Sequence, residues 1–440
     1  MKMKTISKIT FLLFITVTSF AQERVLSLDE AIATALKNNY DIQLAKKDSS
    51  SAAIDNSYAY AAFIPRLNAT GGIIFNNNDQ KQKLASGTTT SRKGVRSDNL
   101  SSAVQLTWTL FDGLKMFATR DKLAEFVKLG ELNIKNQIIN TLAAVINNYY
   151  NIVRQKQQLK AIEEQMSISD ERVKLADKKL AVGLGSKPEL LQAKVDLNAQ
   201  KAARLNELTL IDQLKQQLNQ SMAIAINSSY DVSDTIPFDA ALNYDDILNK
   251  SEERNPLLQI SRKNIDISKL TLKERKAERL PTINFNSAYN FGKTDNKVVL
   301  NQFTPLFNRT VGFNYGLSAT IPILNGFNSQ RLIKQAKLDI QYQQLILENQ
   351  KSQLSLAVSN AFKDYELQKK SLALEEENLA LAKENVMIAL ERFRQGVSTY
   401  LELREAQKSL EDGYNRLIAA RYNTKLAETE LLRLKGDLIK

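Results

Sequence analysis

The sequence predicts a mainly α chain with a small β part, built as two copies of one long-helix unit. Three observations predict it. The run from Gly113 to Gly183 holds no proline and a single interior glycine, Gly130, so it reads as one helix of ~105 Å at 1.5 Å per residue. Landmarks then recur 213 residues apart: Leu110-Phe111-Asp112-Gly113 matches Ile323-Leu324-Asn325-Gly326, and Gly183, Glu189, Leu190 and Ala193 fall on Gly396, Glu402, Leu403 and Ala406. Finally, four stretches outside the helices alternate apolar and polar residues with period two, as half-buried strands do.

The chain begins with a segment read as a secretory signal peptide, residues 1–21. Lys2, Lys4 and Lys8 are followed by an apolar stretch from Ile9 to Val17 and by Ser19-Phe20-Ala21, a small-x-small cleavage site. The apolar stretch is too short to span a membrane as a helix.

The first structural repeat is placed at 22–222. Ser27-Leu28-Asp29-Glu30 is a capping box, opening a helix that runs toward Pro65. Proline disfavours helix at Ile64, so the chain turns extended there. Leu67, Ala69, Gly71, Ile73 and Phe75 mark one strand, and Val104, Leu106, Trp108 and Leu110 the next. The polar stretch 76–98 between them reads as a loop. Asp112 is a good N-cap for the long helix. Its heptad frame runs through Ile138, Leu142, Val145, Tyr149, Ile152, Leu159, Met166, Val173 and Leu180, so it packs lengthwise against other helices. Gly183 and Gly185 end it, and Ser186 with Glu189 forms a second capping box for a helix over 187–222.

Residues 223–243 break the pattern with Asn227-Ser228-Ser229 and Pro237 and join the halves. The second repeat, 244–440, repeats the order. Asn243 with Asp246 opens it, and Pro281 answers Pro65 at an offset of 216, as Asn255 answers Asn39. Ile283, Phe285, Tyr289 and Phe291 make one strand and Val311, Phe313, Tyr315, Leu317, Ala319 and Ile321 the other, with a loop expected over 292–309. Asn325 caps the second long helix, whose seam is Val358, Phe362, Tyr365, Leu372, Leu379, Val386 and Phe393. Gly396 ends it, and Thr399 with Glu402 reads as the matching capping box.

Composition removes most chemistries. There is no cysteine and no histidine, which excludes disulfides, thiol catalysis, histidine bases and histidine metal ligands. No Asp, Glu, Ser or Lys set forms a recognisable catalytic pair, so no enzyme, metal site or cofactor is expected. The formal charge of +12 falls to about +9 without the three leader lysines. Its lysines and arginines are mixed with acids along helices, as on solvated coiled-coil faces, so no nucleic-acid partner is expected.

Periodicity alone suits a structural periplasmic or surface coiled-coil protein without channel activity, and that is the alternative reading. Four amphipathic strands argue against it. A tilted strand of ~9–11 residues crosses a bilayer in a barrel, yet four strands per chain cannot enclose a channel. Three copies supply twelve. Here the sequence resembles the TolC-type outer membrane efflux proteins over nearly all of the mature chain. The resemblance is carried by the duplicated order, the Asp112-Gly113 and Asn325-Gly326 helix starts, and the turn Arg392-Phe393-x-x-Gly396-x-Ser398-x-x-x-Glu402-Leu403-x-x-Ala406-Gln407.

What the resemblance implies is a homotrimer with a twelve-stranded transmembrane β-barrel, continued by an α-helical barrel in the periplasm of a Gram-negative bacterium. It would be the passive exit duct of a tripartite efflux pump or type I secretion system, working with a periplasmic adaptor and an inner membrane pump. It also implies that Glu402 and Glu405 ring the periplasmic entrance, and that Phe393 and Ser398 stand where relatives carry a latching tyrosine and arginine. The turns at Gly183, Gly185, Ser186, Gly396 and Thr399 would dock the adaptor. Trp108, Phe285, Phe291, Phe313 and Tyr315 are candidates for aromatic girdles among outer membrane lipids.

Overall fold

The computed structural model describes residues 24–238 and 241–438; the signal peptide expected at 1–21 lies outside them. Strand β1 (Val25–Leu26) precedes α1 (Leu28–Asn38), α2 (Tyr40–Ser57) and a 3-10 turn, Ala59–Phe63. Then come β2 (Arg66–Lys83), β3 (Thr89–Phe111), α3 (Lys115–Ala181) and α4 (Lys187–Met222). The second half holds β4 (Asp231–Val232), α5 (Tyr244–Arg254), α6 (Pro256–Ala277), β5 (Thr282–Val298), β6 (Phe307–Thr320), α7 (Asn328–Arg394) and α8 (Tyr400–Lys435). α3 and α7 are each 67 residues long and α4 and α8 each 36, so the repetition read from sequence holds to the residue in these four helices.

The duplication extends to backbone detail. Gly113 and Leu114 both take positive φ, as do Gly326 and Phe327, so each long helix starts after two left-handed residues. Such a pair is costly for the non-glycine member. The Asp112 carboxylate accepts from the Met116 N–H at 2.9 Å, and Asn325 Oδ1 accepts from the Ser329 N–H at 3.5 Å. Gly113 is also a close approach, since a Cβ there would stand 2.4 Å from the Ala277 carbonyl oxygen.

Two compact units form, and each draws on both halves of the chain. The first combines the described residues up to Tyr40 with Asn140–Leu242 and Ala361–Leu431. In it α7 packs on α8 through Leu372, Leu379, Val386, Ala406, Leu410, Leu417 and Ala420, and each leucine so buried stabilises by roughly 1.5–3 kcal/mol. β1 pairs in parallel with β4, and Tyr149 anchors the pair by donating to the Leu26 carbonyl and accepting from the Ser233 N–H.

The second unit combines Asp41–Ile139, Asn243–Asn360 and the chain from Leu432. It contains an antiparallel sheet in the order β2-β3-β5-β6. Its register sorts the residues by face. Ala69, Val104, Tyr289 and Phe313 stand in one row, with Leu67, Leu106, Ser287 and Tyr315 in the next and Trp108, Phe285 and Leu317 beyond. The intervening rows, such as Asn68, Gln105, Ala288 and Asn314, point to the other face because side chains alternate. One face is therefore apolar and exposed, the other polar.

Four expectations need correction. The loops expected at 76–98 and 292–309 are largely strand, with short turns between Lys83 and Thr89 and between Val298 and Phe307. Polar residues hide strands from periodicity when both faces are wet, although the backbone ladder continues. The single helix expected from Ser27 to Pro65 breaks at Asn39, and its counterpart breaks at Asn255. Both asparagines are buried, and their amides donate to equivalent helix-end carbonyls, Asn39 to Ser221 at 2.8 Å and Asn255 to Leu434 at 3.1 Å. The break thus satisfies carbonyls that α4 and α8 leave unbonded.

The heptad frame is buried throughout α7 except at Phe362, but in the lower part of α3 it shifts. Ala161, Gln165, Ser169, Arg172 and Ala176 are buried there, while Leu159, Met166, Val173 and Leu180 are half-buried. A straight helix drifts against a 3.5-residue repeat, and this stretch of α3 faces both α4 and α8. At Thr399 the expected capping box is not completed. The Thr399 hydroxyl accepts from the Glu402 N–H, but the Glu402 carboxylate accepts from Ser398 at 2.8 Å, so the capping box is half-formed.

Candidate functional site

Two regions carry the residues singled out from sequence, one in each unit. In the first unit both long helices end in the same turn. Gly183 and Gly396 adopt φ of +78° and +76°, a conformation glycine takes without steric cost. Leu184 N–H donates to the Lys179 carbonyl and Val397 N–H to that of Arg392, closing each helix C-terminus. Ser186 and Glu189 complete their reciprocal cap. Lys178, Lys179, Arg392 and Arg394 sit in the last helical turns, where positive charge is favoured. Gly185 is tightly packed, whereas Leu184 and Val397 at the turn ends are exposed.

Phe393 is buried. Lys179 Nζ lies 3.8 Å from its ring centroid and donates to its carbonyl at 2.7 Å, so a cation from α3 grips the end of α7. Arg394 pairs with Glu171 of α3. Of the three arginines near the turn, Arg394 therefore bridges to α3, Arg392 stands 3.9 Å from Glu402, and Arg404 reaches Asp196 at 3.5 Å. Glu402 and Glu405 are both exposed on the first turns of α8.

Sequence reasoning missed the buried group above this turn. Arg172 is only 2% exposed; it donates to Asp196 Oδ2 on α4 and to Gln407 Oε1 on α8, each at 2.6 Å, and lies over the Tyr400 ring. Asp196 also accepts from the Tyr400 hydroxyl at 2.9 Å and from the Gln192 amide. Burial alone would raise the Asp196 pKa, but the Gln192 and Tyr400 hydrogen bonds and the Arg172 charge hold it below the ordinary aspartate value. The network ties the start of α8 to the α3–α4 pair. Its sequence signal was the polar run Gln165, Ser169 and Arg172 at helical spacing, one position off the apolar frame.

In the second unit all five girdle candidates share the apolar face. Trp108 and Phe285 are direct cross-strand partners at its helix-proximal end. Phe291 lies toward the hairpin turns, and Phe313 and Tyr315 stack between them with centroids 6.1 Å apart. Lys293 and Arg309 close the band, eight residues from the Phe285 row or ~27 Å of strand. Among the described residues no helix is long and apolar enough to cross a membrane, and no group of acids could hold a metal ion.

A family model described as outer membrane efflux protein matches residues 31–223 and 247–437. No curated protein matches the sequence. The fold is similar to that of the outer membrane protein VceC from Vibrio cholerae, with TM-score 0.74 and 14% identity over 93% of this chain and 96% of that one. It is also similar to the Campylobacter jejuni CmeC outer membrane channel, with TM-score 0.76 and 16% identity over 94% and 86%. For the open state of the Neisseria gonorrhoeae MtrE outer membrane channel the TM-score is 0.70, with 16% identity over 93% and 89%.

Proposed function

The chain belongs to the outer membrane efflux protein family, and from that premise we propose that three copies form the exit duct of a tripartite efflux pump or type I secretion system. Members of this family are transport conduits, so the chain carries out no covalent chemistry of its own. After loss of residues 1–21, repeats 22–222 and 244–440, joined by 223–243, build each protomer. It sits in the outer membrane of a Gram-negative bacterium with most of its mass in the periplasm, and meets an adaptor and an inner membrane pump there.

One observation carries this reading: a four-stranded sheet with an exposed apolar face and two unpaired edges, β2 and β6. Water tolerates neither feature. Lipid covers the face, and sister chains pair the edges into twelve strands. A supporting stripe is Leu367, Leu374, Leu381 and Ile388, four exposed residues seven apart on α7, which is a helix seam lacking its partner. Light scattering of the purified protein in detergent is expected to give three copies, and bilayers containing it to conduct. A monomer that does not conduct overturns the proposal.

Glu402 and Glu405 are placed at the entrance, where six carboxylates from three chains attract cations. Replacing both by alanine is expected to weaken cation over anion preference, measured as a smaller reversal potential in a salt gradient. Unchanged selectivity would remove the acidic ring. Lys179 with Phe393 and Arg394 with Glu171 are the contacts that hold the entrance shut, in place of the latch that Phe393 and Ser398 cannot form. Gly183, Gly185, Ser186, Gly396 and Thr399 shape the turns that meet the adaptor, with Leu184 and Val397 as its apolar footholds. The aromatic residues Trp108, Phe285, Phe291, Phe313 and Tyr315 lie among lipids.

A further inference from the structure

A depression of about 740 Å³ lies within the second unit where the strands give way to helices. The start of α3, the end of α6 and the start of α7 line it. Its charges are mostly positive, four cations against one carboxylate, Asp121. Lys273, Lys276, Arg279 and Lys337 all face it, and among the described residues none of their side chains makes a hydrogen bond or ion pair. Nearby acids are engaged elsewhere. Asp121 pairs with Arg120, Glu274 with Lys122, and Glu278 with Lys115 at 2.8 Å and Arg275 at 3.0 Å. The four cations therefore share the depression with a single carboxylate, Asp121, which Arg120 already pairs.

The same depression has an apolar wall. Leu114, Phe117 and Leu280 line it while remaining 57%, 43% and 46% exposed. This wall continues into the apolar face of the sheet. Phe117 packs edge-on against Phe63 with centroids 5.0 Å apart, and the Phe63 carbonyl accepts from the Trp108 indole at 2.8 Å. α6 is bonded to α3 on one side through Lys122–Glu274 and to α7 on the other through Ser268–Asp339, so the depression is complete within one chain. A soluble anion would need the cations but not the wall. Cations beside an exposed apolar wall match a molecule with a phosphate head and hydrocarbon tail.

We propose that this depression binds an anionic glycerophospholipid of the leaflet next to the helices. Its phosphate lies among Lys273, Lys276, Arg279 and Lys337, and its first acyl carbons against Leu114, Phe117 and Leu280. The inference rests on the reading that the apolar face lies in the membrane.

Native mass spectrometry of the full-length protein, released from mixed micelles of phosphatidylglycerol and phosphatidylethanolamine, tests it. Phosphatidylglycerol is expected to be retained at least fivefold over phosphatidylethanolamine. The quadruple variant K273Q/K276Q/R279Q/K337Q, changed only at exposed positions, should bring the ratio near one. Single Lys276→Gln should lower it by up to about fivefold, since one cation near a lipid surface contributes that order. K351Q/K369Q, changed elsewhere, should leave it intact.

Equal retention of both lipids by the native chain overturns the proposal, as does a quadruple variant that still discriminates. Displacement of the lipid by millimolar inorganic phosphate also overturns it, making the depression a phosphate site. A protein that inserts and conducts without lipid preference defeats this inference alone. One that never inserts defeats the membrane reading beneath it.

Discussion

Phe313→Arg is expected to abolish insertion of the protein into the outer membrane. Phe313 is 71% exposed on the apolar face, in the row of Ala69, Val104 and Tyr289, midway between the Trp108 row and the Lys293 row. An arginine on the lipid side at mid-depth costs about 2–4 kcal/mol per chain. Three chains bear the cost together, which is comparable to the whole stability of many proteins. The neighbouring Asn314→Arg supplies the contrast, because its side chain points to the polar face with Gln105 and Ala288. It should insert and alter only conductance. Membrane-fraction yield and trimer content on a gel read both outcomes, and equal effects of the two substitutions would show that the apolar face does not meet lipid.

Asp196→Ala is expected to release the first turns of α8 from α3 and α4. It strips Arg172 of its carboxylate partner while leaving the guanidinium buried, a defect that typically costs 3–5 kcal/mol. Tyr400 and Gln192 lose an acceptor as well. Amide hydrogen exchange around Tyr400–Gln407 should accelerate by two orders of magnitude or more, and the duct should conduct more in bilayers. Acid should do the same to the native chain. The Asp196 pKa is depressed in the fold, so its stabilisation is complete above the ordinary aspartate value of about 3.9 and is lost as pH falls through the lower folded value. Exchange should therefore quicken below pH ~4 in the native protein, and Asp196→Asn should remove that dependence. Exchange unaltered by Asp196→Ala would mean that the network does not hold α8.

Much of this was legible because the chain repeats itself. Turn glycines, prolines and caps at a constant offset located the long helices, and the 67-residue lengths of α3 and α7 match end for end. The apolar face was readable from the alternation at Leu67–Phe75 and Val311–Ile321, since a pleated strand sends neighbours to opposite sides. The same signal failed at Asn76–Lys83 and Thr89–Asp98. There both faces carry polar residues, and only pairing with a neighbouring strand shows that the ladder continues.

The buried network was illegible for a related reason. Arg172 and Gln407 look like solvated seam positions until α4 and α8 close around them. Asn39 and Asn255 were matched in sequence, but nothing local says that each caps a helix end far along the chain. Four cations around Lys276 likewise resemble an ordinary charged surface until the acids beside them prove to be engaged elsewhere.

By itself the sequence determined the order and duplication of the elements, the lengths of α3, α4, α7 and α8, and which face of each strand is apolar, because these are written in caps, turn residues and local alternation. Only the tertiary structure decided which buried charges pair, where the α3 seam shifts, and how far the strands run past the apolar band. Those outcomes depend on partners that the fold brings together, from Asp196, 24 residues beyond Arg172, to Gln407, 235 beyond it, and no local pattern records them.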